Sequence, residues 1–173
     1  MIDGNCQPVD RQRVQALVRN IATEEGFDTD LAEAVAWAES DMGQNQGPSS
    51  AGALGIMQLM PATASRLGVA DRCDAVSNIR AGIRYLKSLY GDFHDPLLML
   101  AAYNAGEQNV YAANGIPVNG ETAKYIVNIL NRWKLGNVVR SSSPPQGAAR
   151  PPTTTDRSND VAWQDGHVID FGN

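Results

Sequence analysis

The chain has 173 residues, 43% of them hydrophobic and 19% charged, the composition of an ordinary globular domain with enough chain to bury a core without metals. Its 14 Lys and Arg stand against 19 Asp and Glu, a formal charge of -5. With no block of basic residues to override it, this argues against a nucleic-acid binder, whose affinity rests on neutralising phosphates. No apolar run approaches the ~20 residues that a membrane span needs.

In chain order, a first helix is predicted from Asp10 to Glu25, where Val14, Leu17, Val18 and Ile21 recur at helical spacing and Gly26 is a stop. A second starts near Thr29 or Asp30 with Leu31, Ala34, Val35 and Ala38 as its stripe, and carries Glu39 close to its end. The stretch from Gly43 to Gly55 is rich in Gly, Gln, Asn and Ser and reads as a loop. Pro61 suits the first position of a short helix to Leu67. A longer helix is predicted from Ala75 to Tyr90, burying Ile79, Ile83, Leu86 and either Leu89 or Tyr90, with Gly91 as its end. Asp95 and Pro96 form an N-cap and first-turn pair for a helix through Tyr103, and a short helix follows Gly106. The last begins near Thr122, places Tyr125, Ile126, Ile129, Leu130 and Trp133 on one side, and stops at Gly136. No segment sustains the period-two alternation of a strand, so the expected fold is all-α.

Residues 1–136 form the expected domain, and 137–173 a tail rich in Ser, Pro and Thr, too poor in apolar residues to offset its ordering entropy and therefore expected to be mostly disordered. Trp163, Val168, Ile169 and Phe171 near its end suit either a docking element or a scrap that packs back on the domain. The N-terminal MIDGNCQPVD lacks the charged and apolar regions of a secretory signal, which alone points to the cytoplasm. The two cysteines, Cys6 and Cys73, are compatible with buried thiols or with a bridge. His94 and His167 are read as surface or capping residues; no His/Cys spacing suggests zinc and no acidic loop suggests calcium.

Four elements occur in order: Ala38-Glu39-Ser40 at a helix end, Gly55-Ile56-Met57-Gln58-Leu59-Met60-Pro61 after the glycine loop, Ala102-Tyr103-Asn104-Ala105-Gly106 at a later helix end, and Tyr125 preceded by Thr122. Together they resemble the soluble lytic transglycosylase family, a lysozyme-like, goose-type helical domain, over about residues 11–135. Ile56 stands where family members often have Leu, a mild departure. Asp71-Arg72-Cys73-Asp74 before a helix, with a cysteine near the N-terminus, is similar to the subgroup that accompanies type IV secretion and conjugation machines. That resemblance implies a Cys6–Cys73 disulfide, and so the periplasm, where disulfides persist.

The resemblance implies cleavage of the MurNAc-β-1,4-GlcNAc bond of peptidoglycan without water. Glu39 acts as acid and then base, the substrate's N-acetyl group assists at the anomeric carbon, and the C6 hydroxyl closes a 1,6-anhydro ring. An intramolecular hydroxyl near its target has the high effective molarity that such a step needs. A two-carboxyl glycosidase would need a partner for Glu39. Asp41 is two residues on and faces elsewhere, Glu33 is more than a turn back, and Glu107 and Glu121 have no family counterpart. An exposed Glu with a pKa of ~4.3 would be ionised at neutral pH, so Glu39 is expected in a partly apolar site that raises its pKa toward ~6, as in hen-type lysozyme. Trp37, Met57, Met60 and Tyr103 are its candidate apolar neighbours. The resemblance also implies substrate contacts from Ser40, Met57, Gln58, Tyr103, Asn104 and Tyr125; without an acidic loop of calcium-ligand spacing, no metal is expected, and no cofactor. The expected partners are glycan strands and, through the tail, secretion-system proteins, with the chain itself monomeric. The alternatives are a goose-type hydrolase, which adds acidic residues to activate water although the Gly43–Gly55 loop has none, and a non-catalytic glycan-binding assembly factor.

Overall fold

The computed structural model describes residues 6–135. Their helices are α1 (Arg11–Glu24), α2 (Thr29–Ser40), α3 (Pro61–Arg66), α4 (Ala75–Phe93), α5 (Pro96–Ala105), α6 (Glu107–Ala113) and α7 (Gly120–Leu130), the last running into a π-helical turn, Asn131–Leu135. Most of the starts are set by short polar side chains. Asp10, Asp28, Asp74, Asp95 and Asn119 each accept a hydrogen bond from a first-turn backbone N–H of α1, α2, α4, α5 and α7. Each such cap stabilises its helix by about 1 kcal/mol. Pro61 and Pro96 occupy first-turn positions, where a missing N–H costs nothing.

The all-α expectation holds among the described residues, where the only β-type pairing is an isolated bridge between Leu54 and Leu59. Three helices differ from the sequence reading by two residues or more at one end, among them α5, which runs to Ala105 rather than Tyr103. α4 continues through Gly91 to Phe93 and ends at His94, whose φ is 51°. A glycine inside a helix costs about 1 kcal/mol relative to Ala; Phe93, packed against the core, offsets this. α7 begins two residues before Thr122 because the Asn119 carbonyl oxygen Oδ1 accepts from Thr122 N at 2.7 Å. The tail, His167 and Gly136 lie outside the described residues.

α5 is apolar on nearly every side, with Met99, Leu100, Ala101 and Ala102 all buried. A helix of that kind belongs in the interior, and α4, α6 and α7 pack around it. α1 packs on α2 and α4, and α2 also meets α7. The predicted stripes, except Ala38 of α2, which is exposed, furnish the core: Val14, Val18 and Ile21 from α1, Leu31 and Val35 from α2, Ile79, Ile83, Leu86 and Leu89 from α4, Ile126 and Ile129 from α7. Of the pair Leu89 and Tyr90, Leu89 is buried and Tyr90 is exposed. A Cys6–Cys73 disulfide joins the segment before α1 to the turn before α4, across 67 residues of chain. No described helix is long and apolar enough to cross a membrane.

Candidate active site

Glu39 sits in the last turn of α2. The helix stops abruptly because Asp41 and Met42 both adopt left-handed backbone, with φ of 50° and 55°. Met42 is wholly buried and anchors the reversal. The next residue back is part of the same stop: Ser40 Oγ donates to Ala36 O at 3.3 Å and accepts from Gly43 N at 2.9 Å. Asp41 turns outward to an ion pair with Arg11 at 2.8 Å.

The second motif is a tight hairpin. Leu54 and Leu59 exchange backbone hydrogen bonds of 3.1 and 3.0 Å, and Gly55 (φ 88°) and Gln58 (φ 45°) make the reversal between them. Buried Asn78 of α4 holds this hairpin from below. Its Oδ1 accepts from Met57 N at 2.7 Å, and its Nδ2 donates to Leu54 O at 3.1 Å and Arg72 O at 2.9 Å. A Cβ on Gly55 would come within 2.2 Å of that Nδ2, so only glycine fits. Gly82, one turn further along α4, lets Met57 lie against the helix; a Cβ there would be 2.6 Å from Met57 Cβ. Arg72 Nη1 donates to Gly52 O at 2.8 Å and Leu59 O at 3.0 Å, closing the loop from the other side.

α2, the hairpin, the end of α5 and α7 enclose a pocket of about 420 Å³. Glu39, Gln58, Tyr103, Asn104 and Tyr125 all line it. Ser40 and Met57, expected to touch substrate, are not among its lining residues: they are 1% and 0% exposed, one closing the α2 stop and the other plugging the hairpin onto α4. Of the apolar neighbours expected around Glu39, Met60 and Tyr103 line the pocket. Trp37 instead lies between the guanidinium groups of Arg11 and Arg132, 4.7 and 4.3 Å from its ring centroid. The pocket also takes in Glu121, which the sequence reading weighed as a partner for Glu39 and set aside, and Ser49, Lys124 and Asn128, which it did not single out. Glu121, Tyr125 and Asn128 follow one another at helical spacing on α7, and that polar stripe was the available signal.

The groups in the pocket have defined hydrogen-bond states. Tyr125 Oη donates to Glu39 Oε1 at 2.6 Å. Tyr103 Oη donates to Met57 O at 2.8 Å, so its proton is committed to the hairpin and its ring walls the pocket. Burial, and then the nearness of Glu39, keep both phenols protonated, well above their ordinary pKa. Gln58 Nε2 donates to Gly55 O at 2.9 Å and Gly47 O at 3.4 Å, leaving its Oε1 as acceptor. Asn104 Oδ1 accepts from Thr122 Oγ1 at 2.8 Å, leaving its NH2 as donor. Glu39 itself is half-buried. Loss of solvation pushes its carboxyl up to about 7, against the opposing hydrogen bond from Tyr125. Its place at a helix C-terminus, where the backbone dipole disfavours negative charge, acts in the same direction as burial.

Since the Tyr125 hydrogen bond favours the ionised form, Tyr125→Phe is expected to raise the Glu39 pKa further. The alkaline limb of the pH–rate profile then moves to higher pH, and the rate at the optimum falls roughly tenfold with one positioning bond lost. A limb that moves to lower pH would contradict this arrangement. Among the described residues, no three His, Cys, Asp or Glu side chains gather as metal ligands would.

A helical domain that holds one half-buried, proton-retaining carboxyl in a cleft between a helix end, a hairpin and a Tyr-Asn corner has the lysozyme-like architecture. The family model described as the transglycosylase SLT domain matches residues 16–126, more than half of the chain, and the chain belongs to that family. It is 38% identical over 129 residues to a protein named membrane-bound lytic murein transglycosylase F from Desulfosudis oleivorans, covering 70% of this chain and 27% of that one. It is 36% identical over 124 residues to the transglycosylase of Enterobacteria phage PRD1, covering 71% of this chain and 44% of that one. Among solved structures, an inactive Glu-to-Gln variant of the lytic transglycosylase Slt from Pseudomonas aeruginosa superposes with a TM-score of 0.61 at 27% identity, over 75% of this chain and 25% of that chain. The 70 kDa soluble lytic transglycosylase of Escherichia coli superposes with a TM-score of 0.58 at 28% identity, over 66% of this chain and 22% of that chain. The chain thus spans about a quarter of the length of the Desulfosudis relative and of these solved relatives.

Proposed function

We propose that this chain is a peptidoglycan lytic transglycosylase, cleaving the MurNAc-β-1,4-GlcNAc bond without water and leaving a 1,6-anhydromuramic end. The observation that carries the reading is the Glu39 carboxyl, pushed up to about 7 and held by Tyr125 in an open, sugar-sized pocket. A carboxyl in that state is a competent acid near neutral pH. It gives its proton to the glycosidic oxygen as the bond to C1 breaks, and the substrate's N-acetyl oxygen bonds to C1 in place of the leaving sugar. The Glu39 carboxylate, now accepting from Tyr125, takes the proton of the C6 hydroxyl as that oxygen attacks C1 and the N-acetyl oxygen departs. Proton and electron pairs balance, and Glu39 returns to its starting state. In this reading Asn104 NH2 donates to the sugar and Gln58 Oε1 accepts from it. The relatives' names, and the Glu-to-Gln change described as inactivating one of them, support the same reading.

One feature favours a second reading. Glu121 lines the same pocket, and a second carboxyl could activate water as in a goose-type hydrolase. End-group analysis of digested peptidoglycan separates the two: anhydromuramic ends mean transglycosylase, and free reducing muramic acid means hydrolase. Equal clearing of purified cell walls by wild type and Glu39→Gln would leave only the non-catalytic glycan-binding role.

The role extends, in this proposal, to opening the wall for a type IV secretion or conjugation apparatus from the periplasm, with the chain acting as a monomer. The Cys6–Cys73 bridge supports an oxidising compartment; two free thiols in protein recovered from periplasm would count against it. Residues 1–136 are proposed as the catalytic unit and 137–173 as a segment for secretion partners. Deleting 137–173 is therefore expected to change the rate on purified glycan by less than about twofold, since Glu39, Gln58, Tyr103, Asn104 and Tyr125 all lie before it in the chain. A large loss of activity on isolated strands would refute this division.

A further inference from the structure

Of the described residues that line the Glu39 pocket, Lys124 alone is cationic. It is exposed. Elsewhere on the domain Arg11, Arg19, Arg66, Arg80 and Arg84 are each held by a carboxylate. Lys124 is not held: its ammonium makes no ion pair or hydrogen bond with another described residue. The cleavage steps do not use it either, since the Glu39 carboxyl is governed by burial and by the Tyr125 hydrogen bond.

The neighbours of Lys124 on α7 define what it can bind. Asn128 lies one turn further along the same helix face. It lines the same pocket, is exposed, and has an unengaged side-chain amide. An ammonium beside an amide NH2 makes a donor pair for an oxyanion. Glu121 stands three residues before Lys124, also on the pocket wall, and no ion pair joins the two. A single carboxylate therefore finds donors at Lys124 and Asn128, whereas a chain of several carboxylates also meets the negative charge of Glu121.

A peptidoglycan strand offers a matching group at one place. Its two sugars differ by the lactyl ether on C3 of the muramic unit. That arm ends in a carboxylate when it is free and in a neutral amide when it bears the stem peptide. The stem then adds several carboxylates further out. We propose that Lys124 is a specificity-determining residue: with Asn128 it binds the free lactyl carboxylate of muramic acid, so that the chain prefers strands already stripped of stem peptide. This rests on the glycan-cleaving reading above. The reaction class that supplies such a strand is hydrolysis of the amide between the lactyl arm and the peptide.

The test uses full-chain Glu39→Gln protein and calorimetric titration with three forms of one oligosaccharide of alternating GlcNAc and MurNAc. The lactyl arms are free in the first, capped as the neutral methylamide in the second, and joined to stem peptide in the third. The free acid is expected to bind about fivefold more tightly than the methylamide, the upper range for an exposed ion pair, and more tightly than the peptide form. High salt should shrink that preference. Adding Lys124→Met lowers it to less than about twofold, and Lys124→Arg, which keeps the charge, retains it. Lys124 is exposed, so both variants are expected to fold. Equal binding of acid and methylamide, a preference that survives Lys124→Met, tightest binding of the peptide form, or no binding of any form would each overturn the proposal. Failure of the wild type to cleave peptidoglycan would overturn the catalytic reading instead, while the titration still decides the role of Lys124.

Discussion

Glu39→Gln is expected to slow glycan cleavage by about 10²–10⁴-fold, the range for removing a general acid–base group, and at the same time to make the protein more stable above pH 7. The two effects have one cause. The folded protein holds the Glu39 proton up to about pH 7, whereas the unfolded chain releases it near the ordinary value of 4.5. Between those values the native state binds more protons, so wild-type stability falls as pH rises through the window, and the penalty is complete above 7. Below about 4.5 both states are protonated and the penalty vanishes. A shift of this size corresponds to at most about 3 kcal/mol, which a neutral Gln does not incur. Urea melts at pH 5 and pH 8 check this: the variant should gain at pH 8 and be close to wild type at the lower pH. A variant no more stable at pH 8 would mean that Glu39 is not desolvated. The pH–rate profile of the wild type should accordingly lose activity as pH rises through about 7, because the first step needs the neutral acid.

Opening the disulfide is the second large expected effect. Replacing Cys6 and Cys73 together by Ser should cost about 4 kcal/mol, the chain-entropy value for a loop of 67 residues. Urea denaturation of oxidised wild type and of the double variant measures it, and coincident curves would show that the bridge contributes nothing. The kinetic consequence follows from what adjoins the bridge. Arg72, the neighbour of Cys73, ties Gly52 O and Leu59 O, and its own carbonyl accepts from Asn78. These bonds hold the hairpin that presents Gln58 to the pocket. The variant is therefore expected to raise KM by several-fold with a smaller fall in kcat, since Glu39 and Tyr125 are carried by α2 and α7. A pure loss of kcat would place the coupling elsewhere.

The comparison of sequence and structure separates along physical lines. Most helix starts were legible because a cap such as Asp95 and a first-turn proline such as Pro61 or Pro96 act within three or four residues of chain; the Asn119 cap of α7 was the one that escaped. Core faces were legible because Val14, Val18, Ile21, Ile79, Ile83 and Leu86 repeat at helical spacing, and a stripe of that kind must be buried somewhere. Helix ends were less so: α4 passes Gly91 because Phe93 finds a place on the core, which no local pattern states. Of the candidate site residues, the motif pattern brought Glu39, Gln58, Tyr103, Asn104 and Tyr125 into view, but it could not say which way a side chain turns.

That last question was decided only by tertiary packing. Ser40 and Met57 stand beside pocket residues in the chain, yet one is consumed by the α2 stop and the other is pressed against Gly82. Asn78 and Gly82, neither of them singled out in the sequence, lie on the buried stripe of α4 among Ile79, Ile83 and Leu86, where a polar and a missing side chain serve the hairpin that rests on them. The acidity of Glu39 belongs to the same class, for desolvation depends on which helices close around a carboxyl, and the phenol that reaches it comes from 86 residues away. Local sequence determines where helices begin and which face is apolar, because caps and periodicity are short-range; it does not determine a proton's affinity or a side chain's neighbours, because those are set by groups that meet only when the chain is folded.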